Sequence, residues 1–275
     1  MLGTVIGHVL VDGLRLIEAA APMPRRLGTA LAPAQRARAD ADPVVLVCGF
    51  ANSASGFDEW RRSLEADGFR VFVFESSTRG LGDLRDSAAQ LAAFLADVRR
   101  RTGRARLDIV GFSEGGLLAR MVVGAGRFAG RVDRLISLAT PHAGINAWSA
   151  YTALAGWHAL RDAAPPAILQ LLTGSELLQQ IERDDRELRL APHAGGPRYA
   201  SVHAWRSDLL VAPWSAQLAG ALDIPIRADS SLRIAPTHYD MLHTSDRAYE
   251  AARRLLLDGA NAEVAAVAAG WGATD

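Results

Sequence analysis

The stretch from Leu107 to Val123 limits what this chain can fold into. Leu107 to Val110 is a short apolar run that reads as a buried strand. It meets Gly111-Phe112-Ser113-Glu114-Gly115, and Gly115 to Val123 continues as a helix. A serine between two glycines at a strand-to-helix bend stands clear of the sheet. Gly111 and Gly115, having no Cβ, let strand and helix crowd the bend. The helix start aims free backbone N–H groups at negative charge developing beside the serine. A glycine-rich turn carrying an incidental serine has the same five letters, so the flanking strand and helix carry the signal.

The rest of the chain agrees with that bend. Short Val- and Leu-rich strands alternate with helical patterns. Strands are expected at Pro43–Val47, Phe69–Phe74, Arg106–Val110, Val132–Leu138, Arg198–Trp205 and Ser230–Ala235. Helices are expected at Phe57–Ala66, Leu84–Arg101, Ser113–Val123 and Ser245–Leu257. The alternation predicts an α/β domain over 43–257, built on a mostly parallel sheet flanked by helices on both faces. The rhythm breaks over 145–196, where Trp148, Tyr151, Trp157, Ile168 and Leu172 make an apolar, strandless insertion. It reads either as a helical cap or lid or as helices completing the core. Residues 1–42 read as an amphipathic helix followed by an Ala/Arg/Pro-rich linker, and 258–275 as a tail. The first helix is expected to pack on the domain, with a membrane-interface helix as the alternative.

Charge and cysteine usage narrow the function. Lys plus Arg and Asp plus Glu each number 30, so no net field draws the chain to nucleic acid. With one cysteine, Cys48, no internal disulfide is possible. The first residues have no basic start and are interrupted by Asp12, Arg15 and Glu18, unlike an export signal. A cytoplasmic or cell-associated location is therefore expected over a secreted one. No run of 18 apolar residues occurs, so no spanning helix is expected. No metal-ligand spacing occurs and no cofactor is expected. Gly80-x-Gly82 and Gly124-x-Gly126 lack the strand–glycine–helix context of a dinucleotide site.

A serine hydroxyl needs a general base, and the base needs a carboxylate to fix its tautomer. In a parallel sheet these groups belong on loops at the carboxyl ends of strands. His238, between the last expected strand and the closing helix, meets that condition best. His243 and His142 are the alternatives, His203 lies within a strand, and His8, His158 and His193 lie in helix or linker. Among carboxylates Asp208 follows the strand ending at Trp205 and is succeeded by apolar residues. Asp240 is the weaker alternative, and Asp229 falls at the opposite end of the sheet. The oxyanion donors are expected to be the backbone N–H groups of Glu114, directly after the serine, and Phe50, in the loop after Pro43–Val47.

These blocks and their order resemble the bacterial lipase/esterase family of α/β-hydrolases that includes triacylglycerol lipases. Val44 to Phe50 is similar to its oxyanion strand and loop, and Gly80-Leu81-Gly82-Asp83 to its approach to the nucleophile. Val110 to Gly116 is similar to the nucleophile block, and Thr140-Pro141-His142-Ala143-Gly144 to the block beyond the next strand. Ser207 to Pro213 and Thr237 to Leu242 are similar to the acid and histidine blocks. The resemblance covers about residues 43–257 and implies Ser113, Asp208 and His238 as a triad, with Phe50 and Glu114 as oxyanion donors. It implies a structural role for His142. It further implies a serine carboxylic-ester hydrolase working on hydrophobic acyl esters through an acyl-enzyme. Its partner would be a small-molecule or lipid ester, with a peripheral lipid interface as a further option. Thioester or amide hydrolysis, acyl transfer, or a non-catalytic scaffold on the same fold are the alternatives.

Three positions depart from the family. Cys48 and Phe112 stand where histidine is usual, and Glu114 where glutamine or methionine is common. The Glu114 side chain is expected to be solvated or salt-bridged at the helix start, where negative charge is favourable. The alternative is that it disfavours anionic substrates.

Overall fold

The structure is a computed structural model that describes residues 41–126, 128–146, 165–190, 196–228 and 236–258. Helix 1–21, the strand expected at Ser230–Ala235, the candidates His8, His158, His193 and Asp229, and the tail 259–275 lie outside these residues. So do 147–164 and 191–195 of the insertion.

Six strands form one parallel sheet. They are β1 (Val44–Val47), β2 (Val71–Phe74), β3 (Leu107–Phe112), β4 (Val132–Leu138), β5 (Arg198–Ala204) and β6 (Leu222–Ile226), in the order β2-β1-β3-β4-β5-β6. Between them run α1 (Asp58–Ala66), α2 (Leu84–Thr102), α3 (Glu114–Gly124), α4 (Pro166–Leu171), α5 (Glu176–Leu190) and α6 (Pro213–Ala216). After β6 come α7 (His238–His243) and α8 (Asp246–Asp258).

Strand periodicity sorts the core into two layers. In β1, Val44 and Leu46 point to one face and Val45 and Val47 to the other, and all four are fully buried. The first face packs on Trp60 and Leu64 of α1 and on Tyr249, Ala252 and Leu255 of α8. The second packs on α2, α3 and α5 through Leu91, Leu95, Leu117, Val122 and Ile181. Helix α2 shows how local sequence fixes an element. Asp83 caps its start by accepting from Arg85 N–H at 2.7 Å, and Gly103 ends it in the left-handed region at φ 67°. Its buried residues Leu84, Ala88, Leu91, Leu95 and Val98 recur at helical spacing.

The chain leaves β1 toward β2 on one side and resumes at β3 on the other. The strand order therefore reverses between β1 and β3, and the crevice at their carboxyl ends is where a parallel α/β sheet binds ligands. The loops that open there are Cys48–Phe50 and the Ser113 bend.

The parallel sheet with helices on both faces agrees with the expectation, but β6 was not expected. Among the described residues it pairs with β5, with Val202 opposite Ile224 and Ala204 opposite Ile226. Ile224 and Ile226 are buried while Asp223 and Pro225 face outward. A proline inside a strand is tolerated at an edge, where one row of N–H groups has no partner strand. The described parts of 145–196 form α4 and α5, and an isolated parallel bridge pairs Ile145 with Leu172 at the end of α4.

Candidate active site

Ser113 sits at φ 55°, ψ −124°, between β3 and α3. A non-glycine residue held at positive φ carries backbone strain of roughly 1–3 kcal/mol and persists only where its surroundings enforce it. Here they do. The Ser113 N–H donates to Leu138 O at 2.8 Å, fixing the bend to β4. A Cβ on Gly115 would overlap the Val47 carbonyl oxygen and come within 2.9 Å of Cys48 O. A Cβ on Gly49 would lie 2.7 Å from Phe112 O and 2.9 Å from Ser113 Cβ. The two glycines let the β1 loop and the start of α3 close around the serine.

His238 and Asp208 converge on it. His238 Nε2 lies 3.0 Å from Ser113 Oγ, and His238 Nδ1 lies 2.7 Å from Asp208 Oδ2. A carboxylate only accepts, so Nδ1 carries the proton and Nε2 is left with its lone pair toward the serine hydroxyl. The second Asp208 oxygen accepts from the Leu210 and Val211 N–H groups at 3.0 and 2.6 Å. The His238 N–H donates to the Asp208 carbonyl at 2.8 Å. Asp208 is thus 2 % exposed and held by five hydrogen bonds to backbone and ring, the fifth being its own N–H donating to Val211 O at 3.4 Å. This agrees with the burial expected from the apolar residues that follow it.

The sequence placed His238 in a loop; it is instead the first residue of α7. Thr237 caps that helix by accepting from the Asp240 N–H at 3.2 Å, and the Asp240 carboxylate accepts the Thr237 N–H at 2.9 Å. Asp240 is therefore committed to the cap. Two further supports were not anticipated. The Phe112 ring packs on the imidazole of His238 with centroids 4.9 Å apart. The Trp60 indole donates to Leu242 O at 2.7 Å and meets the Tyr249 ring edge-on. The position before the serine could have flagged Phe112; nothing local marks Trp60.

The other histidines are engaged elsewhere. Arg120 donates toward His142 Nδ1 at 3.3 Å, so His142 Nε2 carries the proton and donates to Ser137 Oγ at 2.9 Å. Burial, with Arg120 beside it, holds His142 well below the usual imidazole range. His203 places its ring nitrogens 2.8 Å from Ala204 O and 2.9 Å from Asp223 Oδ1. His243 stacks on Tyr239 at 4.1 Å, and burial pushes it down to about 4.

Of the two expected oxyanion donors, Glu114 directly follows the serine, and Phe50 directly follows Gly49, on which a Cβ would lie 2.9 Å from Ser113 Cβ. Phe50 lies inside a turn closed by Asn52 N–H donating to Gly49 O at 3.2 Å, which leaves the Phe50 N–H outside that bond. Glu114 is the first residue of α3, and the first N–H groups of a helix have no intrahelical acceptor. The Glu114 side chain contradicts the sequence expectation. It is fully buried, neither carboxyl oxygen has a hydrogen-bond partner among the described residues, and burial pushes it up to about 8. It is neither solvated nor salt-bridged. Cys48 is buried as well, its thiol pushed up to about 12, so it packs as a small apolar side chain.

A buried charge cluster missed in the sequence ties the serine helix to the insertion. Arg120 of α3 donates to both oxygens of Asp185 at 2.7 Å and to Glu182 at 2.9 Å. Arg189 donates to Asp185 at 3.0 Å and to Glu182 at 2.6 Å, and caps Ala219 O. The Arg120, Asp185 and Arg189 side chains are wholly inaccessible. Among the described residues no group of three or more His, Cys, Asp or Glu is placed to hold a metal ion. Among them, too, no helix is long and apolar enough to cross a membrane.

Comparison with known proteins bears on this geometry. The sequence model of the palmitoyl protein thioesterase family matches residues 43–181, which is half of the chain. No curated protein matches the sequence. Among solved structures, the mature lipase BlEst2 of Bacillus licheniformis is 19% identical with a TM-score of 0.62, covering 82% of this chain and 96% of that one. The lin2722 gene product of Listeria innocua is 14% identical with a TM-score of 0.57, covering 80% and 95%. The carboxylesterase CesB of Bacillus subtilis is 13% identical with a TM-score of 0.50, covering 94% and 100%. At these identities the likeness speaks for the shared α/β-hydrolase fold. The chain belongs to the palmitoyl protein thioesterase family, among α/β-hydrolases of the esterase, lipase and thioesterase type.

Proposed function

We propose that this chain is a serine carboxylic-ester hydrolase that cleaves esters of hydrophobic acyl groups. The observation that carries this reading is the unbroken line of hydrogen bonds from Ser113 Oγ through the His238 ring to Asp208, at 3.0 and 2.7 Å. Ser113 Oγ attacks the acyl carbonyl while His238 Nε2 takes its proton. The N–H groups of Phe50 and Glu114 receive the negative charge that develops on the carbonyl oxygen. The tetrahedral intermediate collapses, His238 returns the proton to the leaving alcohol, and an acyl-Ser113 ester remains. Water, deprotonated by His238, then releases the acid and restores the serine. Asp208 holds the imidazole in the tautomer that these proton transfers require.

A second reading changes only the leaving group. The match to a thioesterase family favours a thiol in place of the alcohol. The acyl-enzyme and the residues involved would be the same.

Hydrolysis of p-nitrophenyl esters and of an acyl-coenzyme A thioester, measured side by side, separates the two readings. Ser113→Ala is expected to lower the preferred activity by on the order of 10⁴-fold or more. Retained activity in that variant overturns the assignment. Absence of fluorophosphonate labelling of the wild type at Ser113 would favour a non-catalytic scaffold.

A further inference from the structure

The catalytic proposal assigns a role to the backbone of Glu114 and none to its side chain, which is the least explained group in the site. A carboxyl group with 0 % exposure and no hydrogen-bond partner on either oxygen is costly to bury even when neutral, and far more so when ionised. Glutamine or methionine would fill a similar volume without a titratable group. The location is also specific, because the carboxyl hangs from the residue whose N–H faces the developing oxyanion.

We propose that Glu114 is a further functional group of this site: a buried carboxylic acid that must keep its proton for an oxyanion to form beside it. The inference rests on Ser113, Phe50 and Glu114 N–H acting as proposed above. Neutral, the side chain puts no charge beside the hole and does not repel anionic substrates. Once its proton has gone to solvent hydroxide, two negative charges share one water-excluded corner. At an effective dielectric of about 20, like charges held a few ångströms apart disfavour one another on the order of 100-fold. Glu114 acts on the reaction through that field, as a positioning residue that does not touch the substrate.

The neighbouring charged groups leave this carboxyl to itself. After β1 stands Cys48, a neutral thiol. After β2, Glu75 and Arg79 pair with each other at 3.5 Å. At the start of α2, Asp83 accepts from the Arg85 N–H, and Asp86 follows in the first turn. Along α3, Arg120 is held by Asp185 and Glu182 of α5. Beyond β4, His142 is bonded to Ser137 and Arg120. Across Ser113, His238 and Asp208 pair with each other. Asp108 of β3 and Arg134 of β4 pair at 2.8 Å, toward the amino ends of those strands. Burial is the one cause that raises the Glu114 carboxyl to about 8, with no charged neighbour contributing.

The test is the pH dependence of kcat/KM for a p-nitrophenyl ester, from about pH 6 to about pH 10, in the wild type, Glu114→Gln, Glu114→Met and Ser113→Ala. Each profile is scaled to its own maximum, so that a change in overall rate does not enter. The wild type is expected to fall at least ten-fold through a limb near pH 8. Gln and Met are both expected to abolish that limb and leave a plateau. A limb that persists in both substituted proteins overturns the inference, and so does its absence from the wild type. Activity surviving in Ser113→Ala overturns the underlying reading of the site instead. The Met variant removes the titrating group without a new buried polar atom, so the test stands if the Gln variant does not fold.

Discussion

The carboxylate of Asp208 has two separable tasks. One oxygen accepts two backbone N–H groups and shapes its loop, while the other accepts from His238. Asparagine can keep the first task, because its amide oxygen still accepts. It cannot keep the second, because its NH₂ would face Nδ1 and invert the imidazole tautomer. Asp208→Asn is therefore expected to fold like the wild type by circular dichroism while losing roughly 10³- to 10⁴-fold in kcat. The three side chains of the proposed triad were legible in the sequence, because strand-end loops in a parallel sheet share one rim. The burial of Glu114 and the packing of Phe112 were not. Both residues flank the serine in sequence, but burial depends on which loops and helices close over a residue, and adjacency carries no such information. A carboxylate after a serine at a helix start reads as solvent-facing; here it is wholly buried.

At the scale of elements, the buried Arg120–Asp185–Arg189 cluster fastens α3 to α5. A buried pair that loses one partner leaves an uncompensated charge, which costs about 3–5 kcal/mol. Asp185→Asn would leave two enclosed guanidinium groups sharing the half-exposed Glu182 carboxylate in place of two carboxylates. It is expected to lower stability in urea by about that amount. Activity at temperatures where the variant remains folded should change far less. A loss under about 1 kcal/mol would show that the cluster is relaxed or hydrated. The cluster was invisible in sequence because Arg120 and Asp185 lie 65 residues apart and only Asp185 and Arg189 share a helix. Strand β6 was missed for a different reason. Five residues with proline at the fourth carry little strand propensity, and a proline is tolerated where β6 stands, last in the order of the described strands. Most other elements were read within a few residues of their ends, because strands buried on both faces are continuously apolar and the helices between them keep a regular apolar stripe.

Titration of the whole molecule follows from a few buried groups. Glu114 and Asp108 are raised by burial, to about 8 and about 7, so the folded chain holds protons the unfolded chain has lost. Each therefore makes stability fall as pH rises from the ordinary carboxylate range to its folded value. His142 and His243 are depressed by burial, so each makes stability rise toward the ordinary imidazole value of 6.5. Up to pH 6.5 the two pairs oppose one another, and above it only the acids still act. Stability is expected to decline between pH 6.5 and 8, by at most about 1.4 kcal/mol per pH unit for each titrating acid. Thermal unfolding across that range measures the slope, and Glu114→Gln should flatten it most toward pH 8, beyond the Asp108 value of about 7. On the acid side, Glu182, Asp83 and Asp223 are held below their ordinary values by hydrogen bonds and neighbouring cations. Their contribution is present at neutral pH and is lost as pH falls through those depressed values.

The segment bearing His238 is anchored to a helix near the other end of the sheet. Trp60 bonds to Leu242 across 182 residues, and Asp67 grips Arg253 across 186. A ribosome making this chain therefore extrudes the serine, the bend and nearly the whole sheet before the imidazole emerges to join them. If the proposed triad operates, the serine hydroxyl has no partner base until the residue at 238 has followed it out.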